Sequence, residues 1–125
     1  MKLIAAISAL TVAGIAAPIA AQESPNISAA YVRCMDRAGS NIVQTGVCSQ
    51  REAAVQDDRL NKAYQQVMRQ LAPRPAAKIA LRDQQRRWIR ERDYSCKING
   101  DTIDTGCIMT KTALRADQLE RQVRF

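Results

Sequence analysis

The sequence predicts an all-α protein, a small antiparallel helical bundle with two disulfides, built as a long helical hairpin with flanking N- and C-terminal helices. Three observations carry that expectation. Apolar residues recur at three- and four-residue spacing over long unbroken stretches, the signature of one helix face. No segment alternates apolar and polar residues with β-branched enrichment, so almost no strand is expected. Breakers are few and fall between the periodic stretches, with Pro73 and Pro75 as the sharpest.

Ser28 can cap a first helix through about Ala38, with Ala29, Ala30 and Val32 in its body. Gly39, Ser40 and Asn41 then break the chain. A second helix starts between Asn41 and Cys48 and runs to about Leu71. Its apolar stripe is Ala53, Leu60, Tyr64, Val67, Met68 and Leu71. A residue before proline is pushed out of the helical region, so residues 72–74 form a tight connection. A third helix spans about Ala76 to Cys96, with Ile79, Leu81, Trp88 and Ile89 as its stripe. The turn signals Asn99-Gly100-Asp101 and Thr105-Gly106 follow. A last helix spans about Cys107 to Val123, with Ile108, Leu114, Leu119 and Val123 as apolar positions.

A short connection makes the second and third helices an antiparallel pair. With the hinge near position 73, facing residues have numbers that sum to about 146. Leu60 then faces Trp88 or Gln85, Tyr64 faces Leu81, and Asp57 faces Ile89 or Arg92. The four cysteines fall toward the open end of this hairpin.

The N-terminus reads as an export signal. Lys2 supplies a positive start, residues 3–17 are uncharged and apolar, and Pro18 precedes the small residues Ala20 and Ala21. That layout suits cleavage after Ala21. The apolar stretch is short for a span, which needs roughly 20 apolar residues. The expected organisation is a signal peptide at 1–21, a loose lead at 22–27 and one helical domain at 28–125. No transmembrane span is expected after cleavage. Removing the signal with its Lys2 leaves 18 Lys+Arg against 12 Asp+Glu, a net charge of +6.

Cys34, Cys48, Cys96 and Cys107 are an even set in an exported small domain, which reads as two disulfides. Three pairings remain open at this point. With no histidine and no C-x-x-C, a zinc site is not expected, and neither is a cofactor.

Several polar residues share the apolar stripes. Asp57, Asn61 and Tyr64 lie on the inward side of the second helix, Gln85 and Arg92 on that of the third, beside Trp88, and Arg115 on that of the last. A buried carboxylate needs a partner, so Asp57 is expected to pair with Arg92 or Arg115, and Asn61 with Gln85. The set reads as a structural polar network that fixes helix register. It contains no nucleophile–base pair and no second carboxylate beside Asp57, so the chain reads as a non-enzyme. Arg82, Arg86, Arg87 and Arg90 form a basic face on the third helix. This is a candidate surface for anionic glycan or lipid of the cell envelope, since export removes nucleic acid from consideration.

These residues also carry a family likeness. Cys48, Glu52 and Asp57-x-x-Leu60-Asn61-x-x-Tyr64, then Leu81-x-x-x-Gln85-x-x-Trp88-Ile89-x-x-Arg92-Asp93-x-x-Cys96, then Cys107, Thr112-x-x-Arg115 and Leu119 are spread over three helices. Together they resemble the LprI-type lysozyme inhibitor family, formerly a bacterial domain of unknown function, over roughly residues 31–120. The resemblance implies an all-helical periplasmic or secreted protein and the pairing Cys34–Cys48 with Cys96–Cys107. Each such loop is worth roughly 2–3 kcal/mol on the loop-entropy model. The implied activity is inhibition of lysozyme, a muramidase. The segment 97–106 carries Asp101 and Asp104 against Lys97 alone, and a Cys96–Cys107 bridge would hold it rigid. It is therefore the candidate partner contact.

Overall fold

A computed structural model describes residues 25–124. The expected signal peptide at 1–21 and residues 22–24 of the lead lie outside the described residues. Four helices and one small hairpin follow in order: α1 (Ala29–Ala38), α2 (Ile42–Gln70), α3 (Pro75–Ser95), β1 (Lys97–Asn99), β2 (Thr102–Ile103) and α4 (Thr105–Glu120). The all-α expectation holds, with the two-stranded ribbon as a small addition.

Local chemistry sets each boundary. The Ser28 hydroxyl accepts the Tyr31 N–H at 3.1 Å and caps α1, and Gly39 ends it at a φ of 54° that other residues resist. Asn41 caps α2 by accepting the Gln44 N–H at 3.0 Å. Pro75 opens α3, where its missing N–H costs nothing. The Asp104 carboxylate caps α4, accepting the N–H groups of Gly106 and Cys107 at 2.9 and 3.1 Å. Gly46 sits inside α2 without breaking it.

Both disulfides take the pairing that the family resemblance implies. Cys34–Cys48 ties α1 to α2, and Cys96–Cys107 closes the hairpin between α3 and α4. Ser49, next to Cys48, approaches Gly106, next to Cys107. All four cysteines therefore gather at one end of the bundle, as the hairpin register predicts.

The helix directions follow from the cross-links. Cys34–Cys48 and the Ser28–Glu52 hydrogen bonds run α1 antiparallel to α2. Ser49 beside Gly106, Arg59 on Asp117 and Gln70 on Arg124 run α4 parallel to α2. Arg92 to Thr112 and Gln85 to Arg115 run α3 antiparallel to α4. The closest backbone approach is between α2 and α4, not between the two arms of the α2–α3 hairpin. The small side chains of Ala63, Ala113 and Ala116, all buried, permit it.

The core joins Leu60, Ala63 and Val67 of α2, Leu81 of α3 and Ala116 and Leu119 of α4, with Tyr64, Met68, Leu71, Trp88 and Val123 packed around them. Leu60 with Trp88 and Tyr64 with Leu81 thus share one core, as expected. Other apolar positions do not. Ile79 and Ile89 of α3 and Leu114 of α4 are exposed. On α4 the buried face is Met109, Thr112, Ala113, Ala116 and Leu119. Ala113 and Ala116 allow the close approach of the parallel α2, and Leu114, between them in sequence, falls on the exposed side of the helix.

Candidate functional site

Two polar clusters and the hairpin are the features that packing alone does not explain. The first cluster joins α2 to α4 and to the chain before α1. Glu52 and Gln56 are buried on α2, one turn apart, on the same face as Leu60, Ala63 and Val67. The Ser28 N–H and hydroxyl donate to the Glu52 carboxylate at 2.8 and 2.6 Å, and Gln56 Nε2 donates to it at 2.6 Å. Gln56 Nε2 and Arg59 Nη1 both donate to the Asn26 carbonyl at 3.0 Å. Arg59 then bonds Asp117 at 2.5 Å and Glu120 at 2.6 Å, and Asp117 accepts the Asn26 N–H at 3.0 Å.

Burial alone would raise the Glu52 pKa. The donors on Ser28 and Gln56, with the Arg59 charge, outweigh it and hold that carboxyl below its usual value. Asp117 behaves alike: burial pushes up, and Arg59 and Asn26 prevail in holding it down. The Arg59 pKa is raised, chiefly by its hydrogen bond to Glu120. This cluster straps residues 26–28 across the α2–α4 pair.

Asp57 and Asn61 are not part of it. Both are exposed, and Asn61 Nδ2 donates to Asp57 Oδ2 at 3.3 Å. The expected Asp57 pairing with Arg92 or Arg115 does not form, nor does an Asn61–Gln85 bond. The physical reason is the rotation of α2. Its close neighbour is α4, so the buried face runs through Glu52, Gln56, Leu60, Ala63 and Val67, one position round from Asp57 and Asn61. Asp57→Ala should therefore change the unfolding free energy by no more than about 0.5 kcal/mol, read by chemical denaturation. A buried ion pair at this position would cost several times as much.

The second cluster lies between α3 and α4 and gathers Gln85, Trp88, Arg92 and Arg115 of the expected network, while Tyr64 packs against the apolar core instead. Arg115 is 6% exposed. Its Nε donates to Gln85 Oε1 at 2.9 Å, Nη1 to Gln118 Oε1 at 2.6 Å and Nη2 to Gln84 Oε1 at 3.4 Å. Trp88 lies between α3 and the core, with the Arg92 and Arg115 guanidinium carbons 5.2 and 5.8 Å from its ring centroid, within cation–π range. Arg92 donates to Thr112 Oγ1 at 3.3 Å and pairs with Asp93 at 2.8 Å. No carboxylate pairs with Arg115 among the described residues. Burial lowers its pKa from the usual arginine value.

A groove of about 510 Å³ opens over this cluster, lined by Trp88, Arg92, Lys111, Arg115, Gln118 and Arg121 among others. A second groove of about 850 Å³ lies at the α2–α3 turn, with Val67, Leu71 and Leu81 below and Arg74, Arg87 and Arg124 above. The basic face of α3 is where the sequence puts it: Arg82, Arg86, Arg87 and Arg90 are all exposed, and Arg82 contacts its neighbour Asp83.

The segment after α3 is an antiparallel ribbon closed at its base by Cys96–Cys107 and by the Asp104 N–H donating to the Cys96 carbonyl at 2.9 Å. Gly100, at a φ of 54°, makes its tip beside Asp101. Asp101 is exposed. Asp104 is also exposed, but its carboxylate is engaged in capping α4. Tyr94, Ile98 and Ile103 are 79, 59 and 44% exposed around the ribbon.

The arrangement of Gln85, Trp88, Arg92, Thr112 and Arg115 in one contact set explains why a sequence pattern spread over two helices can act as a signature. A family model described as lysozyme inhibitor LprI matches residues 34–119. This chain belongs to the LprI lysozyme inhibitor family. The match spans both disulfides, the second polar cluster, the ribbon, and Glu52, Gln56, Arg59 and Asp117 of the first cluster. No curated protein and no solved structure matches the chain. The family is an inhibitor family, and its membership with two cystines points to a place outside the cytoplasm. No helix among the described residues is long and apolar enough to cross a membrane.

Glu52, Gln56, Arg59 and Asp117, with the Asn26–Ser28 strap, are the polar residues that sequence reasoning left out of the network. A signal was present. Ser49, Glu52, Gln56, Leu60, Ala63 and Val67 continue one three- and four-residue stripe. Counting only apolar residues hides its polar half.

Proposed function

We propose that this LprI-family chain is an exported, non-catalytic protein-binding domain that inhibits a lysozyme or another muramidase, in the periplasm or outside the cell. Export rests on the N-terminal pattern at residues 1–21. The single observation that carries the binding role is the disulfide-closed ribbon. It presents exposed Ile98 and Ile103 with Asp101 on a loop held at both ends, beside exposed Tyr94 in the last turn of α3. A rigid loop loses little conformational freedom on binding, and large exposed side chains on such a loop are the usual anchors of an interface. Asp101 supplies the acidic contact; Asp104 holds the loop in place through its cap.

The test is a muramidase activity assay with the oxidised protein against animal and bacterial enzymes. Inhibition is expected at micromolar concentration or below. Tyr94→Ala and Ile98→Ser should each weaken it by at least about 10-fold, the loss of one anchor, with the Tm unchanged. Absence of inhibition against every muramidase would sink the reading.

A second reading draws on the exposure of Arg82, Arg86, Arg87 and Arg90 on one side of α3 in a chain of net charge +7. In that reading the basic face holds the protein on anionic glycan or lipid of the envelope. Such binding collapses as salt rises past physiological strength, where screening acts within about 8 Å. Inhibition through the ribbon does not depend on it.

A further inference from the structure

We propose that the groove between α3 and α4 is a binding site for an oxyanion, a carboxylate or phosphate carried on a hydroxyl-rich ligand such as an acidic saccharide. This inference does not depend on the muramidase reading.

Arg115 is the reason. An arginine that is 6% exposed normally holds its guanidinium against a carboxylate, because a buried charge without a counter-charge is costly. In this protein Arg59, at the α2–α4 interface, follows that rule and pairs with Asp117 and Glu120. Arg115 does not. Among the described residues its hydrogen-bond partners are three neutral amide oxygens, on Gln84, Gln85 and Gln118, and the Trp88 ring is its one further contact of favourable polarity. They fix its orientation and leave its charge uncompensated. The three bonds use three of its five N–H groups.

The surroundings add charge of the same sign. Lys111 of α4 lines the same groove, and Arg92, one turn after Trp88 on α3, lines it too, with its guanidinium carbon 5.2 Å from the Trp88 ring centroid. Glu91 is the one acidic side chain in the lining, and Asp93 answers Arg92 alone. The groove therefore combines an oriented, partly buried guanidinium with a basic rim. An oxyanion seated there would supply the missing counter-charge through charge-assisted hydrogen bonds, the strong kind that arginine makes with carboxylate and phosphate. The amide of Gln118 and the indole edge of Trp88 suit hydroxyl groups and a sugar ring beside it.

The experiment titrates the full oxidised chain at about 50 mM salt with inorganic phosphate and, separately, with oligogalacturonate, followed by amide and side-chain chemical shifts. Low salt avoids screening of the exposed rim. Saturable shifts at the Trp88 indole and the Gln85 and Gln118 amides are expected with both probes, tighter for the saccharide. Tighter binding of phosphate alone would retain the oxyanion site and assign it to a phosphate ligand. Lys111→Gln should weaken binding about threefold and Arg115→Gln about 10-fold or more, the worth of a rim charge and of a charge-assisted pair. Arg115→Lys keeps the charge without the fork and serves if the glutamine variant fails to fold; it too should bind at least about fivefold more weakly. The double variant Arg51→Gln/Lys62→Gln, on the exposed outer face of α2 away from the groove, should bind as the wild type does. The proposal is overturned if neither probe saturates, if the Arg115 variants bind normally, or if the outer-face variant loses as much affinity as the groove variants.

Discussion

Asp117→Ala is expected to lower the unfolding free energy by about 3 kcal/mol, and the Tm by roughly 12–24 °C for a domain of this size. Asp117 is buried, takes one guanidinium nitrogen of Arg59 and accepts the Asn26 N–H. Removing it leaves Glu120, on the exposed side, as the one carboxylate paired with Arg59 among the described residues, and removes the hydrogen bond that ties Asn26 to α4. Asp117→Asn keeps an acceptor for Asn26 and loses the charge, so it should cost about half as much. The two variants separate the ion pair from the strap.

The same cluster sets the acid response. The folded-state pKa values of Glu52 and Asp117 both lie below their ordinary ones. A depressed carboxyl pKa contributes stability above the unfolded-state value of about 4 and loses it as pH falls through the folded-state value. The wild-type Tm should therefore hold from neutral pH to about 4 and fall below that. Asp117→Ala should show a shallower fall, because one of the two linked protons is gone. An equally steep acid limb in the variant would place the response elsewhere.

The second large effect is in the core. Leu119→Ala should cost about 3–4 kcal/mol, measured by chemical denaturation with an unchanged slope. Leu119 has no exposed surface and meets α2 and α3 side chains at once. Its neighbours cannot collapse into the space, because Ala63 and Ala116 already hold α2 and α4 at close approach. Leu114→Ala, five positions earlier on the same helix, should cost under about 1 kcal/mol, since that side chain is exposed. The contrast tests the helix rotation directly.

How far the sequence reaches is clearest in α2 and α4. Capping residues and breakers are local signals, so both ends of α1 and the α2–α3 connection follow from Ser28, Gly39, Pro73 and Pro75 within a residue or two, while the start of α2, open in the sequence between Asn41 and Cys48, falls at the Asn41 cap. The short 72–74 connection brings Leu60 to Trp88 and Tyr64 to Leu81 in one core. The cysteine count and the compartment argument require two disulfides, and the family pattern names the pairing. What fails is the choice of buried face. Leu114, Ile79 and Ile89 look like core and are exposed, while Glu52, Gln56 and Thr112 look like surface and are buried.

The sequence by itself determined the fold class, the order of the helices, the exposed basic side of α3 and the family. Those depend on local propensity, on breakers and on residue types at fixed spacing, all of which are carried by the chain itself. Only the tertiary structure decided which polar residues are buried and with whom. Asp57 lost its expected partners because α2 turns toward a parallel α4. Arg59 found two acids far along the chain in α4, and Arg115 was left against neutral amides. Such partnerships depend on the rotation of each helix about its axis. That rotation is set by how closely Ala63, Ala113 and Ala116 let the helices approach, a property of the assembled core and not of any one segment.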